Sequence, residues 1–309
     1  HPLIAVWDDH ESANNSWMDG AENHDPDQGE GDWLKRRTAS VKAYYEWMPI
    51  RENRSARQLQ IYRSFRYGNL VDLIMLDTRL TGRDEQVDRD NNLAVQDSNR
   101  SLLGDTQEAW LFGELEESMK NGTQWRVLGQ QVFFGAQAPS DEIRNSDIWD
   151  GYQGNRNRIF DFIEKYTLEN LVVLTGDIHS SWALDVPRDP WGAYDSTTGL
   201  GSLAVEFVTP AVSSPSQFTT RPEEADAAHQ ARMVASPHLK FVDQVHRGYF
   251  ILDITPERAQ ADWYFVSTVA TRSAEQRFIR GFYTSAGSNH LTEATRPMAS
   301  RLDVPLLAP

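Results

Sequence analysis

The stretch Leu171-Val172-Val173-Leu174-Thr175-Gly176-Asp177-Ile178-His179 joins an uninterrupted apolar run to a polar end that carries a carboxylate and an imidazole. A short apolar run predicts a strand buried on both faces, as in the parallel sheets of α/β proteins. Such sheets bind ligands just beyond the carboxyl ends of their strands. Since Asp177 and His179 are two residues apart, their side chains share one side of an extended segment and can hold one cation or adjacent cations. An aspartate that only orients a core histidine would show the same spacing.

A second polar block follows another apolar run near the start of the chain. Residues 3–7 (Leu-Ile-Ala-Val-Trp) predict a buried strand, and Asp8-Asp9-His10-Glu11 come directly after it. An Asp-Asp pair can also simply cap the next turn. Because both blocks end predicted buried strands, we expect Asp9, Asp177 and His179 to meet at one sheet edge, within the radius of one metal site.

Two further groups of polar residues are candidates for the same site. Asp150, in Trp149-Asp150-Gly151-Tyr152, precedes a predicted helix and is either a third metal-binding carboxylate or an N-cap. Asp77 and Arg79 follow the predicted buried strand 71–76, and we expect them to pair with each other.

The remaining pattern alternates strands and helices. Asp105-Thr106-Gln107-Glu108 has the spacing of a capping box, which predicts a helix that starts there. Alternation of buried strands with helices predicts a layered sheet covered by helices, in a single domain over 1–309. The predicted helices are 33–48, 105–119 and 154–167, and the other predicted strands are 61–67, 125–128, 182–187, 203–208, 247–254 and 261–267.

Composition excludes several classes of function. The net charge of -15 opposes binding to a nucleic-acid duplex, and the absence of cysteine excludes disulfides and thiol nucleophiles. No apolar run approaches the roughly 20 residues that a membrane span needs. An acidic protein that acts on phosphate esters must supply local positive charge, for which metal ions are the obvious source.

The chain opens directly on a predicted core strand, so we expect the natural N-terminus to lie upstream.

The two polar blocks resemble the motifs of calcineurin-like metallophosphoesterases, which carry a Gly-Asn-His-Asp/Glu block and a late Gly-His-x-His block. Asp8-Asp9-His10-Glu11 stands for the first and Gly176-Asp177-Ile178-His179 for the second, and the aspartate replacements are similar to the PhoD-like alkaline phosphatases. The resemblance runs through most of the chain and includes Tyr62 to Gly68, Leu76-Asp77-Thr78-Arg79, Trp149-Asp150-Gly151-Tyr152, Pro237-His238-Leu239-Lys240 and Arg247-Gly248-Tyr249.

This resemblance implies an α/β (α+β) fold, a four-layer metallophosphoesterase sandwich of two mixed β-sheets flanked by helices. It implies hydrolysis of phosphate mono- and/or diesters by metal-activated hydroxide, with His10 as the catalytic residue that protonates the leaving group. The implied metal ligands are Asp9, Asp150, Asp177 and His179, with Gln130 or Gln131 as the rivals of Asp150.

The resemblance also implies the metals and the compartment. Ca²⁺ together with Fe³⁺ is expected, with Mn²⁺ as the alternative, and the protein is expected to be periplasmic or secreted. The family's early Gly-Asp block, whose aspartate bridges two metals, would lie before His1, so we expect the N-terminal part of the domain to be missing here.

Two other functions compete with the phosphoesterase. A non-catalytic calcium-binding extracellular module could use the acidic loop 8–32, and it predicts calcium-dependent stability without hydrolysis. A sugar hydrolase could use paired carboxylates, but it leaves the Asp177-x-His179 pair without a role and predicts activity without metal.

Overall fold

The structure is a computed structural model that describes residues 2–51, 59–88, 92–139, 142 and 144–299. The helices are α1 (Trp33–Trp47), α2 (Asn92–Val95), α3 (Gly104–Lys120), α4 (Gln153–Tyr166) and α5 (Ala225–Ala235). The strands are β1 (Arg63–Tyr67), β2 (Val71–Met75), β3 (Trp125–Gly129), β4 (Leu171–Thr175), β5 (Ser181–Pro187), β6 (Ser202–Val208), β7 (Leu239–Asp243), β8 (Gly248–Ile254), β9 (Arg258–Val266), β10 (Gln276–Ser285) and β11 (Leu291–Ala294).

Seven strands form a mixed sheet in the order β1-β2-β3-β4-β6-β5-β7. Its centre is parallel, because β2, β3, β4 and β6 all run in one direction, while β1, β5 and β7 pair antiparallel. Four residues of β4 are buried and the fifth is partly buried, as its continuous apolar run predicts. The parallel centre brings the carboxyl ends of β2, β3 and β4 to one edge.

The other four strands form an antiparallel sheet in the order β11-β10-β9-β8, which packs against the first. Aromatic side chains fill the interface, and the Trp263 ring lies 5.8 Å from Phe207 at 68°. The opposite face of the seven-stranded sheet is covered by α3 and α4 through residues such as Leu111 and Ile159. Two sheets with helices are therefore present, as predicted.

The expectation that both sheets are mixed is wrong for the second one. Strands β8, β9 and β10 follow one another through connections at 255–257 and 267–275. Connections this short join neighbouring antiparallel strands, whereas a parallel pair needs a crossover of a dozen residues or more.

The predicted strand 3–7 is also wrong, since these residues form no strand. Trp7 is instead buried against α1, with its ring 5.6 Å from Tyr44 and 6.2 Å from Tyr45. The backbone is held by side chains: Arg63 donates to the carbonyl of Ala5 and Gln131 to that of Trp7. The apolar run reflects packing onto a helix rather than pairing in a sheet.

The other helix and strand predictions are close to the structure, with two exceptions. Helix α3 begins at Gly104, so Asp105 is no cap. Ser101 Oγ accepts the N–H of Gly104, and Asn155 Oδ1 accepts those of Leu102 and Leu103. Strands β7, β10 and β11 were not predicted. In the described part of the chain, no helix has both the length and the apolar character for a membrane crossing.

A buried carboxylate lies below the end of β4. Glu206 of β6 accepts hydrogen bonds from the backbone N–H groups of Phe134 and Gly135 and from the hydroxyl of Thr175. Burial raises the pKa of Glu206 to about 7, although these three donors favour the charged form. Because the folded-state pKa lies above the ordinary value of 4.5, this residue's contribution to stability is full below about pH 4.5 and is lost as the pH rises through about 7.

Glu206→Gln should therefore make stability less dependent on pH. The unsubstituted protein should lose about 3 kcal/mol of unfolding free energy from this group between pH 4.5 and 7, and the variant should not. Urea unfolding of both proteins across that range measures the difference. The exposed Glu223→Gln is the control, and a variant whose pH slope equals that of the unsubstituted protein would contradict the assignment.

Candidate metal centre

The segment after Trp7 folds into a tight turn around Asp9. Its carbonyl accepts the N–H groups of Ser12 and Ala13, both at 2.8 Å. Its carboxylate accepts the N–H of His10 at 2.7 Å on Oδ1 and that of Asn15 at 2.8 Å on Oδ2. These backbone donors fix a side chain that is only 7% exposed. Asp9 is therefore held in one orientation before any ligand binds.

The segment after β4 also turns sharply. Asp177 has φ 63° and His179 has φ 53°, both in the left-handed region, and the N–H of Ile178 bonds back to the carbonyl of Gly176 at 2.7 Å. The expectation of an extended Asp177-x-His179 segment is therefore wrong. Left-handed backbone is uncommon for residues other than glycine, and such strain concentrates at functional sites.

The two turns bring three carboxylates together. Oxygen atoms of Asp8, Asp9 and Asp177 all lie within 4.8 Å of one another, a group found among the described residues. Asp9 and Asp177 thus meet at the sheet edge, as their positions in the sequence predict. Asp8 was not predicted to take part, although it lies in the same block of four ionisable residues and could have been included on that signal.

The buried side chain of Arg79 contacts all three carboxylates. Its guanidinium is fully buried and donates from Nε to Asp8 at 2.6 Å, from Nη2 to Asp177 at 2.6 Å, and from Nη1 to both oxygens of Asp147 at 2.9 and 3.0 Å. Asp9 Oδ2 lies 3.8 Å from Nη2. The guanidinium therefore contacts four aspartates from three chain segments at once.

The expected pairing of Asp77 with Arg79 is wrong at the level of side chains. Asp77 Oδ1 accepts the backbone N–H groups of Arg79 and Leu80, and Oδ2 accepts the hydroxyl of Thr81. Asp77 thus shapes the turn that follows β2. Because its carboxylate is occupied by backbone groups, the guanidinium of Arg79 is free to reach the site.

Negative charge exceeds positive charge in this cluster. Four aspartates (residues 8, 9, 147 and 177) face two arginines, Arg79 and Arg83, and Arg83 forms an ion pair with Asp147 but with none of the other three described aspartates. Burial and the neighbouring carboxylates raise the pKa of Asp177 to about 8, although Arg79 acts in the opposite direction. Burial also raises the pKa of Asp147, but Arg83 and Arg79 outweigh it and hold that pKa below its usual range. The surplus of carboxylate favours a bound cation.

The two histidines lie at the solvent side of the cluster. The side chain of His10 is 73% exposed, and its Nε2 donates to Asn14 Oδ1 at 3.0 Å. His179 is exposed, and its Nδ1 donates to the carbonyl of Pro215 at 3.1 Å. This bond assigns the tautomer and leaves Nε2 with a lone pair, which is how metal-binding histidines are commonly oriented. The three-carboxylate group itself does not include His179.

The other predicted ligands have buried protein partners. Asp150 accepts from Arg156 at 2.7 Å and from the N–H of Gln137 at 2.9 Å. Gln130 bonds to Thr175 and Trp149. The amide oxygen of Gln131 accepts from the N–H and the hydroxyl of Thr78, and its amide nitrogen donates to the carbonyls of Trp7 and Leu76. These contacts are those of structural groups, and Asp150 remains a predicted ligand that a substitution can test.

Comparison with known proteins finds a similar curated protein and a similar solved structure. The chain is 36% identical over 273 residues to alkaline phosphatase D of Bacillus subtilis (strain 168), which covers 85% of this chain and 44% of that protein. The solved structure of PhoD superimposes with a TM-score of 0.80 at 30% identity, over 96% of this chain and 55% of the other. The chain thus spans about half the length of these relatives.

A further solved structure, purple acid phosphatase PPD1 isolated from yellow lupin (Lupinus luteus) seeds, aligns at 12% identity with a TM-score of 0.45, over 89% of this chain and 40% of the other. The sequence also matches the PhoD-like phosphatase family over residues 1–263, a range that contains every candidate site residue. The resemblance noted from the two polar blocks is thereby confirmed, and the chain belongs to the PhoD-like phosphatase family.

Proposed function

We propose that this chain contributes to a metal-dependent phosphoesterase that hydrolyses phosphate mono- and/or diesters, in the manner of an alkaline phosphatase. The observation that carries the proposal is the convergence of Asp8, Asp9 and Asp177 within 4.8 Å. This convergence lies at the carboxyl ends of parallel strands, where α/β sheets bind ligands. Family membership and a relative named alkaline phosphatase D support the same reaction.

The donor set fits hard cations. Three carboxylates offer anionic oxygens, and His179 offers a neutral nitrogen whose partner atom is already bonded to Pro215. Oxygen-rich ligation suits Ca²⁺, Fe³⁺ or Mn²⁺ better than soft metals. We propose Ca²⁺ together with Fe³⁺, held by Asp9, Asp177 and His179 with Asp8 added to the predicted set. When bound, such ions polarise phosphoryl oxygens and lower the pKa of water.

His10 is the proposed catalytic residue. Its backbone N–H orients Asp9, so its ring is tied to the carboxylate cluster while remaining in solvent. Since Asn14 Nδ2 donates to Glu22, the oxygen of that amide faces His10 and accepts a hydrogen bond from its Nε2–H. Beside the proposed metal site, the protonated form of this imidazole can donate a proton to the departing oxygen of the ester.

Three finer parts of the proposal rest on the family resemblance. We propose that 1–309 belongs to one metallophosphoesterase domain with the layers of a four-layer sandwich. We propose a small phosphate ester as the substrate and a periplasmic or secreted location. The described helices α3 and α4 supply one outer layer of such a sandwich, against the seven-stranded sheet.

His10→Ala should reduce kcat by ~10²–10⁴-fold and leave the metal content nearly unchanged, because general acid catalysis contributes about that factor. The measurement is hydrolysis of a p-nitrophenyl phosphate ester by the natural gene product supplied with Ca²⁺ and iron, with metal content determined by elemental analysis. Asp9→Ala is the contrast and should lose metal and activity together.

If His10→Ala removes the metal as completely as Asp9→Ala, then His10 is a ligand and its proposed role as a proton donor is wrong. Calcium-dependent stability without hydrolysis of any phosphate ester would instead support the non-catalytic calcium-binding module.

Asp177→Asn and Asp150→Asn form a second matched pair. Asparagine tolerates the left-handed backbone of Asp177 (φ 63°), so this change removes the carboxylate without disturbing the turn. Metal content should fall in Asp177→Asn. In Asp150→Asn, unchanged metal content with a lower melting temperature would assign Asp150 to its ion pair with Arg156, and loss of metal would establish it as a ligand.

A further inference from the structure

Arg79 supplies the one cation that contacts all three carboxylates of the candidate metal centre, among the residues that the structure describes. It donates to Asp8 and Asp177 at 2.6 Å, and its Nη2 lies 3.8 Å from Asp9 Oδ2. The guanidinium is fully buried and cannot lose its proton in a protein. Its charge is therefore permanent and fixed in place.

The hydrogen bonds of Arg79 leave room for a second cation. They use Oδ1 of Asp8 and Oδ1 of Asp177. Within the described ranges, no protein group donates a hydrogen bond to Oδ2 of either residue. A carboxylate that accepts a hydrogen bond on one oxygen still offers the other to a metal, so Arg79 and a metal can share the same ligands.

Arg79 and a bound metal therefore act against the same repulsion. Carboxylates a few ångströms apart and largely out of water repel one another strongly, and each additional positive charge offsets part of that repulsion. When one cation is present, less repulsion remains for the other to offset. The stabilising effects of Arg79 and of the metal must then be less than additive.

We propose that Arg79 is a built-in counter-cation, which keeps the carboxylates of the metal centre assembled when no metal is bound and which a bound metal partly replaces. This inference rests on the proposed metal site but adds a role that the site does not require. It explains why a cluster of four aspartates is compatible with a folded protein before metal is acquired.

Arg83 provides a matched control. Its side chain is also fully buried, and it donates to the carboxylate and the carbonyl of Asp147 and to the carbonyl of Thr78. It has no ion pair with Asp8, Asp9 or Asp177 in the described part of the chain. Removing Arg83 breaks a buried ion pair of the same kind without touching the three-carboxylate group.

The experiment compares melting temperatures with and without excess Ca²⁺ for the unsubstituted protein, Arg79→Met and Arg83→Met. Without Ca²⁺, both variants should melt roughly 10 °C lower, since Arg79→Met leaves Asp177 without its guanidinium partner and Arg83→Met removes one of the two that Asp147 has. Ca²⁺ should raise the melting temperature of Arg79→Met by roughly 5 °C more than that of the other two proteins. Calorimetric titration should show correspondingly tighter Ca²⁺ binding to Arg79→Met.

Arg79→Lys separates charge from geometry and serves if Arg79→Met does not fold. It retains the charge but loses the planar fork. It should be less stable than the unsubstituted protein and gain no more from Ca²⁺ than that protein does. If Ca²⁺ raised the melting temperature of Arg79→Lys more than that of the unsubstituted protein, the proposed role of the Arg79 charge would be overturned. If Arg79→Met folded only in the presence of Ca²⁺, that role would be supported.

Equal gains from Ca²⁺ in the unsubstituted protein, Arg79→Met and Arg83→Met would overturn the inference and leave Arg79 a structural residue. Failure of the metal site itself has a different signature. In that case titration of the unsubstituted protein with Ca²⁺, or with Mn²⁺ in its place, would give no measurable heat of binding. Neither ion would raise the melting temperature of that protein.

Discussion

The ion pairs of Arg79 hold the functional edge of this protein together. Its three carboxylate partners come from segments that are 71, 68 and 98 residues away in sequence, and no backbone ladder connects those segments at this point. A planar guanidinium carries five N–H donors in a rigid fork, so this one side chain can bond to three carboxylates in fixed directions. Arg79 is therefore the side chain that Asp8, Asp147 and Asp177 share, and Arg83 holds Asp147 in addition.

Parallel strands determine why Arg79 lies there. Strands β2, β3 and β4 end side by side, so the residues that follow them reach the same edge. Gln131, just after β3, bonds to Thr78 and to the carbonyls of Leu76 and Trp7. This one amide connects the turn after β2 to the irregular segment that carries Asp8 and Asp9. The first polar block thus reaches the sheet edge without belonging to a strand of the sheet.

Much of this could be predicted from local sequence, and the remainder has identifiable causes. The strands β2, β3 and β4 and the helices α1, α3 and α4 follow from apolar runs and periodicity, which depend on near neighbours. Residues 3–7 have the same apolar character as a strand but are buried by α1, a tertiary contact that periodicity does not encode. The long reach of Arg79 past Asp77 was missed for a related reason, because adjacent opposite charges suggest a local pair. Asp8 was not predicted as a ligand although its block was, because the family resemblance implies Asp9 as the ligand in that block.

The left-handed backbone at Asp177 and His179 restricts which sequences this turn can accept during divergence. Few residue types tolerate that conformation, chiefly glycine, asparagine, aspartate and histidine. Three of these, asparagine, aspartate and histidine, are also metal-binding side chains, so one short list satisfies both the backbone and the ligand chemistry. Most other ligand residues at these positions, such as glutamate, would carry a conformational cost in the left-handed region. The turn can therefore exchange asparagine, aspartate and histidine between its two proposed ligand positions, and few other residue types suit both the backbone and a metal.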